Sequence, residues 1–331
     1  MIETVTEEVG RPAQPALARG ARHSDAATAS AERELHERDR HIRSTVARWH
    51  FAMLNDGERS ASYELALATF LRPNMHVLDI GCGSGLLSML AAKHGASHVT
   101  ACEVVPEIAE VARHIVRSNG FADRVVVVPK SSTSLSLAAD LPRRADLLVT
   151  EIVDCGLVGE GIMPTLRHAR EHLLAEGGSI IPRAATIYAA LIESVPIHEL
   201  NLVGASRGID VRQFNQLSSQ LYFPLRSHTW PYAFLSPAVA AFEVNFLTDS
   251  LEPTTREVSF AVKQSGKCHA VMFWFDLELA PGVSLRNQPG DHKTHWMQAV
   301  QCIENPFHVR AGETLTLTVL QTDSALRFIT H

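Results

Sequence analysis

Residues 77–85 read Val-Leu-Asp-Ile-Gly-Cys-Gly-Ser-Gly, an apolar run holding Asp79 that passes directly into glycines at alternate positions. Val77, Leu78 and Ile80 suit a strand buried in a parallel sheet. Gly81, Gly83 and Gly85 let the chain turn tightly and bring bare backbone against a ligand before Leu86-Leu87-Ser88-Met89-Leu90 starts a helix. A dinucleotide fingerprint sets its third glycine three residues after the second. Here the gap is two, and an acid stands two positions before the first glycine, which is the S-adenosylmethionine form of the turn. Glu103 follows the next apolar run, His98-Val99-Thr100-Ala101-Cys102, about 20 residues on, where a carboxylate can accept both ribose hydroxyls.

Outward from that turn the chain divides by texture. Residues 1–30 are rich in Ala, Gly, Pro, Thr and Ser without periodicity and are expected to form a disordered leader. Residues 31–72 carry charged runs and then an apolar stripe (Trp49, Phe51, Met53, Leu54, Tyr63, Leu65), which predicts helices folding over the cofactor. From Val77 to about Tyr188, around a domain expected at 73–182, strands and helices alternate, with strands expected at 76–80, 98–102, 124–129, 145–150 and 184–194 and helices at 85–94, 106–119 and 165–175. Such alternation predicts an α/β domain, a parallel sheet with helices on both faces. From 183 to 331 short alternating runs such as Val258–Val262, Val271–Phe275 and Thr314–Val319 predict an antiparallel β domain, sandwich or barrel. Within it, about 200–236, a polar segment carries exposed apolar groups (Leu202, Val203, Phe214, Leu221, Tyr222, Phe223) and reads as a docking arm.

Composition narrows the class of protein. The chain has 331 residues, 46% apolar and 20% charged, enough for a sizeable core and two domains. Its formal net charge of −6 gives nucleic acid no electrostatic footprint, and nothing approaches the ~20 apolar residues of a membrane helix. Cys82, Cys102, Cys155, Cys268 and Cys302 form no Cys-x-x-Cys pair; an odd count without a secretory signal predicts reduced thiols in a cytoplasm. His168 and His172 stand four apart, but no acidic third ligand accompanies them, so no metal is expected.

Two acids complete the site. The fourth strand ends in Val149-Thr150-Glu151, and the loop that follows supplies Glu160 nine residues later, with Gly156, Gly159 and Gly161 letting it fold tightly. Carboxyl ends of parallel strands line the ligand crevice, so Glu151 and Glu160 are expected to face the reactive methyl of the cofactor.

These motifs, in this order, resemble the protein arginine N-methyltransferases over roughly residues 45–331. The matching stretches are Met53, Asp56, Arg59 and Tyr63 in the opening helices; Asp79 to Gly85; Glu103; Glu151 and Glu160; and Thr294-His295-Trp296 late in the β domain. Asn119-Gly120-Phe121 and Gly159-Glu160-Gly161 are most similar to the tandem-module, monomethylating branch, although this chain holds one module. The resemblance implies a Rossmann-like S-adenosylmethionine-binding domain followed by a β-barrel with an arm for head-to-tail dimerisation, hence a homodimer. It further implies that Arg59 pairs with the methionine carboxylate of the cofactor, that Asp56 and His295 pair behind the acidic loop, that Trp296 and Met53 border the substrate arginine, and that Thr133 and Ser134 touch adenine. Two departures stand out: Trp49, His50 and Phe51 occupy a region where relatives carry tyrosines, and Cys155 and Gly156 are small where relatives have larger residues.

Paired carboxylates suit guanidine chemistry. A guanidinium has a pKa near 12.5–13.8 and arrives protonated, its nitrogens poor nucleophiles because their lone pairs are delocalised. Two carboxylates can orient one nitrogen and draw positive charge away from it. Glu151 and Glu160 contribute −2, the guanidinium and the sulfonium +2, so the closed site is neutral. Glu160 is the expected proton acceptor, with Asp56 and His295 as relay or brace. The single module and altered acidic loop resemble a stand-alone family member acting on free L-arginine in natural-product biosynthesis. A protein or peptide substrate is the alternative, and a catalytically silent, cofactor-binding regulatory subunit the second.

Overall fold

The computed structural model describes residues 20–290 and 293–330, with side chains from Ser30 onward. Residues 1–19 of the expected leader lie outside the described residues. Helix α1 spans Gly20–Thr45, so regular structure begins earlier than residue 31. Alanines at 21, 26, 27, 29 and 31 favour a helix by propensity alone, a signal that a search for periodicity does not register. This helix belongs to a unit ending at Arg48, and Trp49–His331 forms a second unit.

In the second unit, α2 (Trp49–Leu54) and α3 (Gly57–Phe70) are separated at Asp56. The Asp56 carboxylate accepts the Arg59 N–H at 2.9 Å and so caps α3, satisfying one of the donors a helix start leaves open. Five parallel strands follow: β1 (His76–Ile80), β2 (His98–Cys102), β3 (Val125–Val128), β4 (Ala145–Thr150) and β5 (Leu174–Ile181), in the order β3-β2-β1-β4-β5. Helices α4 (Leu86–Lys93), α5 (Pro106–Ser118) and α6 (Ile162–His172) connect them.

The strand expected at 184–194 within this alternation belongs elsewhere. The fifth parallel strand is Leu174–Ile181, whose apolar run is interrupted by Gly177 and Gly178 and is therefore hard to read as a strand. Strand β6 (Ala184–Glu193) follows a cis Ile181-Pro182 bond and enters an antiparallel sheet of seven strands built around the long strand Gly266–Ala280. A three-stranded sheet, containing Thr254–Ala261 and Thr314–Gln321, completes a barrel-like β domain. Phe246, Phe260, Phe273 and Phe275 are fully buried in it.

Only part of segment 200–236 projects. Ala205–Ser206 and Ile209–Asp210 form a small hairpin that exposes Ile209, and the 3-10 helix Arg212–Leu217 after it exposes Phe214 and Leu217. From Phe223 to Leu225 the chain pairs with Gln298–Val300, and Ala233 and Phe234 pair with β6, so the end of the expected arm is sheet.

Register sets the functional crevice. Ile80 pairs with Cys102 on one side and with Thr150 on the other, so Gly81, Glu103 and Glu151 leave the sheet side by side at its carboxyl edge. The strand order reverses between β1 and β4, which is where open α/β sheets bind ligands.

Candidate active site

Gly81, Gly83 and Gly85 all adopt positive φ (71°, 52° and 79°), the left-handed region that a side chain would strain. Asp79 lies beneath this turn, 1% exposed, and accepts the Ser88 hydroxyl of α4 at 2.5 Å. Burial pushes its carboxyl up to about 6. Glu103 bridges the turn from β2, accepting Gly83 N–H at 3.1 Å and Val105 N–H at 2.9 Å. Thr133 and Ser134 lie exposed on a 3-10 turn after β3, next to the buried Ser132.

Arg59 is buried on α3, ion-paired through Nη2 with Glu151 Oε2, its guanidinium 5.3 Å from the Tyr63 ring centroid. Its Nε has no hydrogen-bond partner among the described residues. The Tyr63 hydroxyl donates to Thr150 O at 3.1 Å, fixing α3 over the end of β4. Met53 is buried on α2.

Asp56 holds two parts of the unit at once. Besides capping α3, it accepts the His295 backbone N–H and faces His295 Nδ1, both at 2.9 Å. Burial works to raise Asp56, but hydrogen bonds from Arg59 and His295 hold it below the usual carboxylate range. Burial lowers His295 against the opposing pull of Asp56; Nδ1–H donates its hydrogen bond to the Asp56 carboxylate, and Nε2 stands 3.8 Å from Glu151 Oε1. That gap exceeds a hydrogen bond, and the geometry makes the pair a brace between α3 and the β domain.

Glu151 and Glu160 line one cavity of about 260 Å³ with Trp49, Asp154, Tyr222, Pro224, His295 and Trp296. Burial pushes Glu151 up to about 7 despite Arg59. Glu160 stays accessible to solvent at the rim, yet burial of its carboxyl and the charges of Glu151 and Asp154 raise it to about 7 as well. Two facing carboxylates with raised proton affinity form an electrostatic trap for a cation.

Anchors from the β domain hold the acidic loop. Trp296 Nε1 donates to Val153 O at 2.8 Å, the buried Asn287 donates to Cys155 O at 3.1 Å, and the Tyr222 hydroxyl donates to Asp154 at 2.8 Å. Asp154 also accepts Gly159 N–H at 2.8 Å, next to Glu160, whose carboxylate accepts no hydrogen bond from the described residues. Asn287 carried no sequence signal, Tyr222 registered only as an apolar group of the arm, Asp154 only as a member of the acidic loop, and Trp49 only in the apolar stripe and where tyrosines were missing.

Two family profiles divide the second unit between them. Residues 64–181 match one described as ribosomal protein L11 methyltransferase, and residues 183–328 one described as the arginine methyltransferase oligomerization subdomain. Over 285 residues the chain is 42% identical to the arginine N(omega)-methyltransferase of Streptomyces achromogenes subsp. streptozoticus, covering 86% of this chain and 79% of that one. The chain belongs to the arginine N-methyltransferase family. Protein arginine N-methyltransferase 7 of Xenopus laevis is 30% identical over 330 residues, 87% of this chain and 47% of that one, so the chain spans about half the length of that relative. Among solved structures, a Trypanosoma brucei PRMT1 enzyme-prozyme heterotetramer with AdoHcy superposes with a TM-score of 0.71 at 27% identity, over 82% of this chain and 86% of that one. Arabidopsis thaliana protein arginine methyltransferase 10 shares the fold, with a TM-score of 0.67 at 23% identity over 83% of this chain and 88% of that one.

This family member is an S-adenosylmethionine-dependent arginine methyltransferase, and its residues fit the cofactor. The partnerless, buried Nε of Arg59 is a donor for which burial without an anion is costly. A Cβ at Gly83 would meet nothing within 4 Å, which leaves bare backbone facing open space beside Glu103.

The small residues of the acidic loop also have a structural reason. A Cβ at Gly156 would lie 2.4 Å from Tyr222 Cζ, and one at Gly159 would lie 2.3 Å from Asp154 Oδ2. Tyr222 cannot swing away freely, because it holds Asp154 and packs edge-on against Phe273 at 5.1 Å. Gly156→Ala is therefore expected to lose about 1–3 kcal/mol by overpacking, with a fall in turnover as the loop shifts. Thermal melts of Gly156→Ala alone and combined with Tyr222→Ala measure the coupling; equal costs in both backgrounds would contradict the steric account.

Proposed function

We propose that the enzyme methylates the guanidino group of free L-arginine, giving Nω-methyl-L-arginine, and that Glu151 and Glu160 are its catalytic carboxylates. The observation that carries this reading is the cavity in which both acids, raised to about 7, line one small cleft with Trp49, Tyr222 and Trp296. At about 260 Å³ it lies just under the ~300–1,000 Å³ usual for drug-sized ligands, a size that suits one amino acid. Similarity to the Streptomyces enzyme along most of its length supports the same reading.

S-adenosylmethionine, when bound, supplies a methyl group on a positively charged sulfur. Gly81, Gly83 and Gly85 would receive it, with Arg59 toward its carboxylate, Glu103 toward its ribose and Thr133 and Ser134 toward its adenine, while Asp79 holds the turn from below. Glu151 and Glu160 grip the substrate guanidinium by charge-assisted hydrogen bonds, aim one nitrogen and polarise it. The nitrogen that gains the methyl must shed a proton, and Glu160, in contact with solvent at the rim, takes it and passes it to water. Asp56 and His295 act as positioning residues, and Met53 and Trp296 contribute to the walls. Labelled methyl donor incubated with free L-arginine and, separately, with an Arg/Gly-rich peptide tests the assignment; label in the peptide alone overturns it in favour of a protein substrate.

Both carboxylates must be ionised to hold a cation. Because their folded values are raised to about 7, kcat/KM is expected to fall as pH drops below about 7, by up to ~100-fold per unit if both protons matter. A cation between them favours the ionised forms, so the acid limb of kcat should lie lower than that of kcat/KM. A kcat/KM profile flat from pH 5.5 to 8 would sink this account.

The exposed Ile209, Phe214 and Leu217 of the arm support a homodimer built through the oligomerization subdomain. Phe214→Glu with Leu217→Glu should convert the particle in light scattering from two chains to one. An unchanged mass would remove the arm from the interface.

A further inference from the structure

A cation stands beside the cavity, against one of its wall residues. Pro224 of the edge strand Phe223–Leu225 lines the cavity, as does Tyr222 just before that strand. Phe223 and Leu225 pack into an apolar cluster, and Arg226 follows directly after the strand with its backbone still extended, two residues beyond Pro224. Arg226 is exposed, and the one hydrogen bond of its side chain among the described residues is a long 3.4 Å contact from Nη2 to His295 O. No carboxylate pairs with it there. His295 is itself a wall of the cavity, and after burial and Arg59 the Arg226 cation is among the influences that lower its ring.

Free arginine carries a cation at the end of its side chain and a carboxylate at its α-carbon. The surroundings of the cavity match that polarity, with Glu151 and Glu160 among its walls and a loosely held guanidinium next to His295. We infer that Arg226 binds the substrate α-carboxylate through its planar fork and thereby selects the free amino acid over an arginine within a peptide, whose α-carboxyl is an uncharged amide. This rests on the free-arginine reading above. A guanidinium is suited to the task because two parallel N–H groups match two carboxylate oxygens, and because it stays charged at any working pH.

Steady-state rates with L-arginine and with agmatine, which lacks the carboxylate, test the assignment on the full chain. For Arg226→Ala, KM for L-arginine should rise about 10- to 100-fold with kcat nearly unchanged, the loss expected for a charged hydrogen-bonded pair. KM for agmatine should not move, Arg226→Lys should restore part of the loss, and Arg226→Glu should weaken arginine further while improving agmatine. Unchanged melting temperature and cofactor affinity would show that the fold and the donor site are intact. An unchanged arginine KM in folded Arg226→Ala, or an equal rise for both substrates, overturns the role of Arg226 and leaves the free-arginine reading standing. Wild-type enzyme that labels peptide and never free arginine overturns both.

Discussion

Glu151→Gln and Glu160→Gln are each expected to lower kcat by about 10²–10³-fold, the scale on which removal of one preorganised charge-stabilising group is felt in an enclosed site, while the cofactor still binds. Each amide keeps the size of the acid and removes the charge that holds and polarises the guanidinium. The two variants should differ in stability. Glu151 is 5% exposed at its side chain and paired with Arg59, so its amide leaves a buried guanidinium without a counter-charge and should lower the melting temperature. Glu160 accepts no hydrogen bond from the described residues and sits at the rim, so its amide should melt near wild type. Single-turnover assays with calorimetric titration of the demethylated cofactor separate chemistry from binding. Near-wild-type turnover in both variants would remove the paired-carboxylate mechanism.

Arg59→Ala should act on cofactor and fold together. The buried Arg59–Glu151 pair has both side chains about 95% enclosed, and breaking such a pair from one side costs about 3–5 kcal/mol because the other charge is stranded. Loss of the fork should also weaken cofactor binding about 10- to 100-fold, as expected for a charged hydrogen bond. Sign follows from the same pair: Arg59 lowers Glu151 against its burial, so without it Glu151 holds its proton to higher pH and the acid limb of kcat/KM moves upward. Arg59→Lys keeps the charge without the fork and should recover stability more than cofactor affinity. Calorimetry with the demethylated cofactor and a thermal melt decide; unchanged affinity would end the assignment of Arg59 to the cofactor carboxylate.

Much of the site was legible before any fold was known, for a local reason. Asp79 to Gly85, Glu103 and Glu151 each adjoin the end of an apolar strand, and in a parallel sheet such ends converge on one edge. Ile80 paired with both Cys102 and Thr150 realises that convergence. The fifth strand was misread because Gly177 and Gly178 break its pattern, and α1 was started late because alanine-rich helix carries no stripe. The reach of the arm was overdrawn, since the apolar residues from Phe223 on belong to a sheet.

The amino-acid order by itself determined the donor turn, the ribose acid and the facing carboxylates, because those groups are placed by a few residues of chain next to a strand end. Tertiary structure alone decided what encloses them. Tyr222 reaches Asp154 across 68 residues and Asn287 reaches Cys155 across 132, so neither partnership leaves a trace in local spacing. The physical reason is that a cavity's walls come from packing between distant segments, where a buried hydrogen bond or a missing Cβ gains its meaning only from what lies against it.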